Sequence, residues 1–276
     1  MRRLLGIFAD PVAHSMSPAM HNLAFQALGL DYIYMPFQIT KAQLPQAMES
    51  IRTLNMRGVN LSMPHKESGA QLVDRLEGAA KLVGAINTIV NENGVLVGHL
   101  TDGKGFLESL KGANVDVTGL NVVMLGAGGA AKAVAVQAAL DGAKTITVYN
   151  RTPAKAQDLA NLINSSTDCM AEAVDSLLLE AKIAKADLLI NGTNLGMHPY
   201  ENESLITDPE ILHTGLVVAD MIYDPPTTKL LELAQSKGCQ TLNGKGMLLY
   251  QGAVAFELWT GRPFPIETIK EVMFDD

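Results

Sequence analysis

The stretch NVVMLGAGGAAKAVAVQAALDGAKTITVYN, residues 121 to 150, limits the fold more than any other part of the chain. It reads as an apolar strand, a glycine turn, an alanine-rich helix from about Ala131 to Leu140 and a second strand, which together make one βαβ unit. Parallel strands joined by a helix are covered on both faces, so such a unit needs more strands and helices around it and begins an α/β domain. It starts near the middle of a 276-residue chain, so the residues before it need a second body.

Gly126-Ala127-Gly128-Gly129-Ala130-Ala131 fits the pattern GxGxxA. A tight turn needs the first glycine, close approach of a pyrophosphate needs the second, and a small third residue lets helix pack on strand. Free N–H groups and a partial positive charge at the following helix N-terminus favour a dinucleotide over a packing turn with no ligand. The second strand ends in Tyr149-Asn150-Arg151-Thr152-Pro153-Ala154-Lys155, with no acid to take a ribose 2′-hydroxyl. Arg151 and Lys155 suit a cationic clamp on a 2′-phosphate, with Asn150 and Thr152 as further hydrogen-bonding groups. A solvated surface pair is the plain alternative. NADP is favoured over NAD.

Short β-like runs alternate with helical stretches elsewhere: LLGIF (4 to 8), DYIYMPF (31 to 37), GVNLS (58 to 62), ADLLING (186 to 192) and LVVADMIY (216 to 223). In SPAMHNLAFQAL, Ser17 is expected to cap a helix with Pro18 at its first position, Ala19, Leu23 and Ala27 on one face, and Gly29 closing it. The expected division is a nucleotide domain over 102–239 and a discontinuous domain over 1–101 and 240–276, because the aromatic tail (Tyr250, Phe256, Trp259) has the composition to pack back on the N-terminal part.

A net charge of -8 argues against a nucleic-acid partner, which requires a concentrated basic surface. Apolar runs fall short of the ~20 residues a membrane span needs, and Asp10 interrupts the N-terminus too early for a signal peptide, so a cytoplasmic location without membrane association is expected. Cys169 and Cys239 have no metal-ligand spacing and read as reduced thiols.

Three polar clusters lie outside the nucleotide unit: His14-Ser15-Met16-Ser17-Pro18, Asn60-Leu61-Ser62-Met63-Pro64-His65-Lys66, and Gly84-Ala85-Ile86-Asn87-Thr88 followed by Thr101-Asp102-Gly103. Each sits where strand ends of an α/β sheet face a ligand crevice. Each also has a structural reading: Ser17 as a cap, Pro64 as a turn, Asn87 satisfying buried backbone, Asp102 as N-cap of the next helix. Together they supply hydroxyls, amides, one cation and one carboxylate, a set that suits a small polyhydroxylated acid.

HSMSPAMHN, GVNLSMPHK, GAINT, TDG, GAGGAAKA, NRT, NGTNLGM, DMIYDPPTTKLL and GKGMLLYQG, in that order and spacing, resemble the shikimate dehydrogenase family, including its shikimate/quinate branch, over about residues 6 to 262. The resemblance implies two α/β domains, an N-terminal substrate-binding domain completed by the C-terminal helices and a Rossmann-type domain, with the active site in the cleft. It implies reversible reduction of 3-dehydroshikimate to shikimate with NADP, NAD being the secondary cofactor, in a monomer or homodimer. Ser15 and Ser17 would then bind the substrate carboxylate, while Asn60, Ser62, Asn87, Asp102, Tyr223 and Gln251 would surround the ring hydroxyls. Lys66 and Asp102 would be the catalytic pair. Gly126, Ala127, Gly128, Gly129, Ala130 and Ala131 would meet the pyrophosphate, and Asn150, Arg151, Thr152 and Lys155 the 2′-phosphate. Thr193, Met221, Gly244 and Met247 would lie nearer the nicotinamide.

Two positions depart from the family pattern. Ser62 stands where threonine is usual and keeps the hydroxyl; Leu100 replaces the usual asparagine before Thr-Asp-Gly. Quinate oxidation by the same residues is the nearest alternative, and a non-catalytic dinucleotide sensor on the same fold is a further one. The sensor would be expected to lose the lysine or the carboxylate, and both are present. Ketone reduction needs a proton and positive charge at the developing alkoxide, and a lysine brings both at neutral pH. Alcohol oxidation requires the lysine to lose its proton first, so the oxidative rate is expected to climb with pH. His65 has no assigned role.

Overall fold

A computed structural model describes residues 2 to 274. In chain order its elements are β1 (Arg3–Ala9), α1 (Ser17–Ala27), β2 (Tyr32–Gln38), α2 (Leu44–Thr53), β3 (Gly58–Leu61), α3 (Lys66–Ala70), β4 (Arg75–Leu76), α4 (Ala79–Val83), β5 (Thr88–Glu92), β6 (Val95–His99) and α5 (Thr101–Gly112). There follow β7 (Asn121–Leu125), α6 (Gly129–Leu140), β8 (Thr145–Tyr149), α7 (Pro153–Ser166), β9 (Met170–Val174), α8 (Ser176–Ile183), β10 (Leu188–Asn191), β11 (Val217–Asp220), α9 (Lys229–Ser236), β12 (Gln240–Leu242), α10 (Lys245–Thr260) and α11 (Ile266–Met273).

The chain divides into two units, one of Met1–Gly105 with Leu249–Asp276 and one of Phe106–Leu248. These boundaries differ from the expected 102 and 239. Gln240–Leu242 pairs in parallel with β11, so the second sheet keeps the chain for one strand beyond 239.

The first unit carries a six-stranded sheet in the order β2-β1-β3-β5-β6-β4. β1 pairs in parallel with β2 and β3, but β5 and β6 form an antiparallel hairpin on β3. Its turn is Asn93-Gly94, both with positive φ (56° and 96°), which matches the backbone twist of a tight hairpin. The core gathers Leu5 and Ile7 of β1, Met20 and Phe25 of α1, and Phe256, Trp259 and Ile269 from the C-terminal helices. Trp259 Nε1 donates to Ile89 O (2.9 Å), and Arg57 donates to the carbonyls of Leu258 and Trp259. These bonds join the last helices to β3 and β5 across about 200 residues of sequence.

The second unit has a wholly parallel sheet in the order β12-β11-β10-β7-β8-β9. In chain order of its own strands this is 6-5-4-1-2-3, the doubly wound arrangement whose order reverses between β7 and β10. Both faces of β7 and β10 are covered, as their runs Val122–Leu125 and Leu188–Ile190 require. No helix of the described residues is long and apolar enough to cross a membrane.

Candidate active site

In the first unit the expected substrate residues fall at the carboxyl ends of β1 and β3, on the β5 side of β3, and on α5 and α10. Lys66 opens α3 directly after the β3 turn, and its Nζ donates to Asp102 Oδ2 at 2.6 Å. The lysine side chain is 34% exposed and the aspartate 10%, so the cation can meet a ligand while its partner stays fixed within the protein. Asp102 lies in the first turn of α5 and is not its N-cap. The buried start of that helix is satisfied from outside by Asn87, whose Oδ1 accepts from Thr101 N at 2.7 Å. The same carboxamide donates through Nδ2 to Asp102 Oδ1 (3.0 Å), to Thr101 Oγ1 (3.0 Å) and, longer, to Gln251 Oε1 (3.4 Å). Each Asp102 oxygen thus has its own donor, and the carboxylate has a single orientation.

Gln251 reaches this cluster because Gly105 lets α10 approach α5. A Cβ at Gly105 would stand 2.3 Å from the Gln251 backbone nitrogen.

Ser15 and Ser17 lie together after β1, Ser17 N donating to Ser15 Oγ at 3.3 Å. Ser17 does not cap α1 as expected. The helix begins one residue earlier, with Met16 at the cap and no side-chain cap bond, because Met16 O already accepts from Met20 N. The Ser17 side chain is buried rather than used at the cap. Ser62 is half-buried beside β1, its backbone N–H donating to Phe8 O. Asn60 is 5% exposed and takes part in a buried network rather than standing open. His65, unassigned from sequence, is fully buried, and its Nε2 donates to Ile39 O at 2.7 Å, anchoring the segment that presents Lys66. Leu100 is buried, and the Asn87 bonds form without an amide at that position.

In the second unit the glycine turn, at the point where strand order reverses, brings several expected cofactor residues together. Gly126 has φ +102°, and a Cβ there would lie 2.9 Å from Gly192 O and 3.2 Å from the Thr193 methyl. Ala131 is small for a packing reason, since its Cβ faces Gly192. At Gly128 and Gly129 a Cβ would meet nothing within 4 Å, and neither residue needs positive φ, so no protein neighbour explains the lack of a side chain. Backbone left open in this way has room for the close approach of a phosphate. α6 begins at Gly129 rather than Ala131, which brings its first free N–H groups into the turn itself.

Asn150 Oδ1 accepts from Ala127 N at 3.1 Å and its Nδ2 donates to Thr152 O, so this residue ties the glycine turn to the β8 end. Arg151, Thr152 and Lys155 are exposed. Neither cation makes an ion pair among the described residues. The donor set therefore fits a dinucleotide, with open backbone at the turn and two exposed cations after β8.

Met221 and Gly244 are in contact, a Cβ at Gly244 meeting Met221 O at 2.2 Å, and Met221 Sδ lies 3.2 Å from the Cβ position of Gly192. Met247 is half-buried in the first turns of α10, and Tyr223 is 49% exposed on the loop after β11. Sequence reasoning missed the group beneath them. Asp220, fully buried, accepts from Asn191 Nδ2, Thr228 Oγ1 and Ile222 N, and Asn191 Oδ1 in turn accepts from the Thr193 hydroxyl at 2.7 Å. Burial pushes the Asp220 carboxyl above the ordinary carboxylate range. An aspartate ending the apolar run LVVAD was the available signal. Among the described residues no group of His, Cys, Asp and Glu could hold a metal ion.

Three sequence families match in succession: the shikimate dehydrogenase substrate binding domain over residues 7–89, shikimate / quinate 5-dehydrogenase over 109–219, and the shikimate 5′-dehydrogenase C-terminal domain over 244–274. The chain is 46% identical over 277 aligned residues to the shikimate dehydrogenase (NADP(+)) of Listeria monocytogenes serotype 4b, covering 98% of this chain and 95% of that protein. The chain belongs to the shikimate dehydrogenase family. It is an NAD(P)-linked oxidoreductase of that family. A quinate/shikimate dehydrogenase of Escherichia coli is also 46% identical, over 98% of this chain and 96% of the relative. The fold agrees at the same level. The crystal structure of shikimate 5-dehydrogenase from Listeria monocytogenes in complex with shikimate and NAD superposes with a TM-score of 0.96, at 46% identity, over 99% of this chain and 96% of that one.

Proposed function

We propose that this member of the shikimate dehydrogenase family reversibly reduces 3-dehydroshikimate to shikimate with NADPH, with Lys66 as proton donor and Asp102 as its partner. The 2.6 Å Lys66 Nζ–Asp102 Oδ2 pair carries this reading. A bound NADPH would supply the hydride. The chain must provide the proton and the charge at the carbonyl oxygen, and an ammonium has three protons, of which Asp102 takes one. The others remain for a substrate oxygen. Asp102, fixed through its second oxygen by Asn87, keeps the ammonium aimed, so little reorganisation accompanies proton transfer.

Ser15 and Ser17 supply the hydroxyls for a substrate carboxylate, and Ser62, Asn87 and Gln251 the groups for ring hydroxyls. Preference for NADP rests on Arg151 and Lys155 and on the absence of an acid at the end of β8, supported by the NADP(+) name of the Listeria relative. The Listeria structure with NAD keeps NAD as the second cofactor. A cytoplasmic location accompanies this reading, since both cysteines are free thiols.

A second substrate, quinate, is supported by the equal identity to the Escherichia coli quinate/shikimate dehydrogenase. Steady-state oxidation of shikimate and of quinate, each with NADP and with NAD, tests both. The shikimate–NADP pairing is expected to give the highest kcat/KM. Higher kcat/KM with quinate would move the assignment to the second reading, and no turnover in all four pairings would return it to a dinucleotide sensor.

A further inference from the structure

Asn60 and Thr88 face each other across the antiparallel β3–β5 pair. Asn60 Nδ2 donates to Thr88 Oγ1 at 2.9 Å and to Asn87 O at 3.0 Å, and Asn60 Oδ1 accepts from the Tyr34 hydroxyl at 2.7 Å. Thr88 Oγ1 continues to Asn87 Oδ1 at 3.3 Å, Asn87 Nδ2 to Asp102 Oδ1 at 3.0 Å, and Asp102 Oδ2 to Lys66 Nζ. A phenol has one proton, and here it goes to Asn60. One hydrogen-bonded chain therefore joins Tyr34 to the Lys66–Asp102 pair. Every linking residue is nearly or wholly buried: Tyr34 and Thr88 at 0% exposure, Asn87 at 3% and Asn60 at 5%.

Tyr34 is the anchor of this chain and, at 0% exposure, meets no substrate itself. Its ring stacks on the imidazole of His21 with centroids 4.6 Å apart, and Trp259 closes the other approach at 6.0 Å. Without the Tyr34 proton, Asn60 Oδ1 would have no donor in a dry site. A buried acceptor without a donor costs free energy, so the carboxamide would shift from the position in which Nδ2 meets Thr88 Oγ1 and Asn87 O. The Thr88 hydroxyl would lose the bond that aims its proton at Asn87, and the amide that orients Asp102 would lose one of its restraints.

We propose that Tyr34, acting through Asn60 and Thr88, is a positioning residue for the Lys66–Asp102 pair, and that the chain keeps Asn87 in the one rotamer that donates to Asp102. This rests on the reading of Lys66 and Asp102 as the catalytic pair.

The test is the primary deuterium isotope effect on kcat for shikimate deuterated at the reacting carbon, with NADP as oxidant, in wild type, Tyr34→Phe, Thr88→Val and Thr88→Ser. Mispositioned proton transfer slows the chemical step, so Tyr34→Phe and Thr88→Val are expected to lower kcat about tenfold and raise the isotope effect, with KM for NADP within about twofold of wild type. Thr88→Ser keeps the hydroxyl and is expected to retain the wild-type isotope effect. A loss of folded enzyme lowers the apparent rate without changing the isotope effect, so an unchanged isotope effect in Tyr34→Phe or Thr88→Val overturns the proposal. If Tyr34→Phe fails to fold, the two Thr88 variants decide the matter. Wild-type protein with no shikimate turnover would instead remove the catalytic reading on which the proposal stands.

Discussion

Lys66 Nζ stands 2.6 Å from Asp102 Oδ2 across 36 residues of sequence, and Asn87, between them in the chain, donates to the other aspartate oxygen. The three residues come from a helix start, a strand start and a second helix start, so their meeting depends on the β3–β5–β6 register.

On the proposed reading, replacing the ammonium removes the proton donor and leaves the second unit untouched. Lys66→Ala is expected to lower kcat for shikimate oxidation by about 10²–10⁴, with the Kd for NADP measured by fluorescence titration within about twofold of wild type. Near-wild-type turnover in the purified variant would remove Lys66 from the chemistry.

Gly128 has open space where a side chain would point and an extended backbone that alanine adopts freely. Gly128→Ala is therefore expected to change unfolding free energy by no more than about 1 kcal/mol, the difference between glycine and alanine at a helix cap. NADP affinity should fall about tenfold or more, because the methyl occupies the approach of a pyrophosphate. Calorimetric titration beside a urea melt separates the two effects; a stability loss without an affinity loss would contradict a phosphate role.

Arg151 and Lys155 are exposed and make no ion pair among the described residues, which leaves them free for an anion. Arg151→Ala should raise the Kd for NADP about tenfold to a hundredfold, the size of one or two charge-assisted hydrogen bonds, and change that for NAD by less than about threefold. Equal losses for both would show that the guanidinium does not read the 2′-phosphate.

His21 has no partner for either ring nitrogen among the described residues, and burial among aromatic rings pushes its pKa down from 6.5 to about 3. The folded value lies below the unfolded one, so between these pH values the unfolded chain binds a proton that the fold refuses. Stability is then full above about pH 6.5 and falls with acidification, on the order of 1.4 kcal/mol per pH unit for this group until pH nears 3. In denaturant melts from pH 7 to 4, His21→Phe is expected to lose less stability than wild type. Parallel curves for the two proteins would mean that His21 protonates without cost.

Much of the second unit is legible from residues 121 to 150 alone, because glycine spacing, apolar strands and an alanine-rich helix all state one local arrangement. The residue types of the first unit's site are legible too, as polar clusters in GVNLSMPHK, GAINT and TDG. The β5–β6 hairpin was readable from its Asn93-Gly94 turn between apolar strands, but the parallel alternation around it obscured the signal.

Sequence by itself determined the chemical inventory: a lysine, a carboxylate, amides, hydroxyls, a glycine turn and two cations after the second strand. Tertiary structure decided which of them act together. Ser17 looked like a cap until α1 began a residue earlier, and Tyr34 looked like an ordinary strand tyrosine until its hydroxyl met Asn60. Caps and turns follow from spacing along the chain, since their partners lie within a few residues. The orientation of Asp102 follows from buried donors brought in by strand register, and register between distant strands is fixed only when the whole sheet and its core close together.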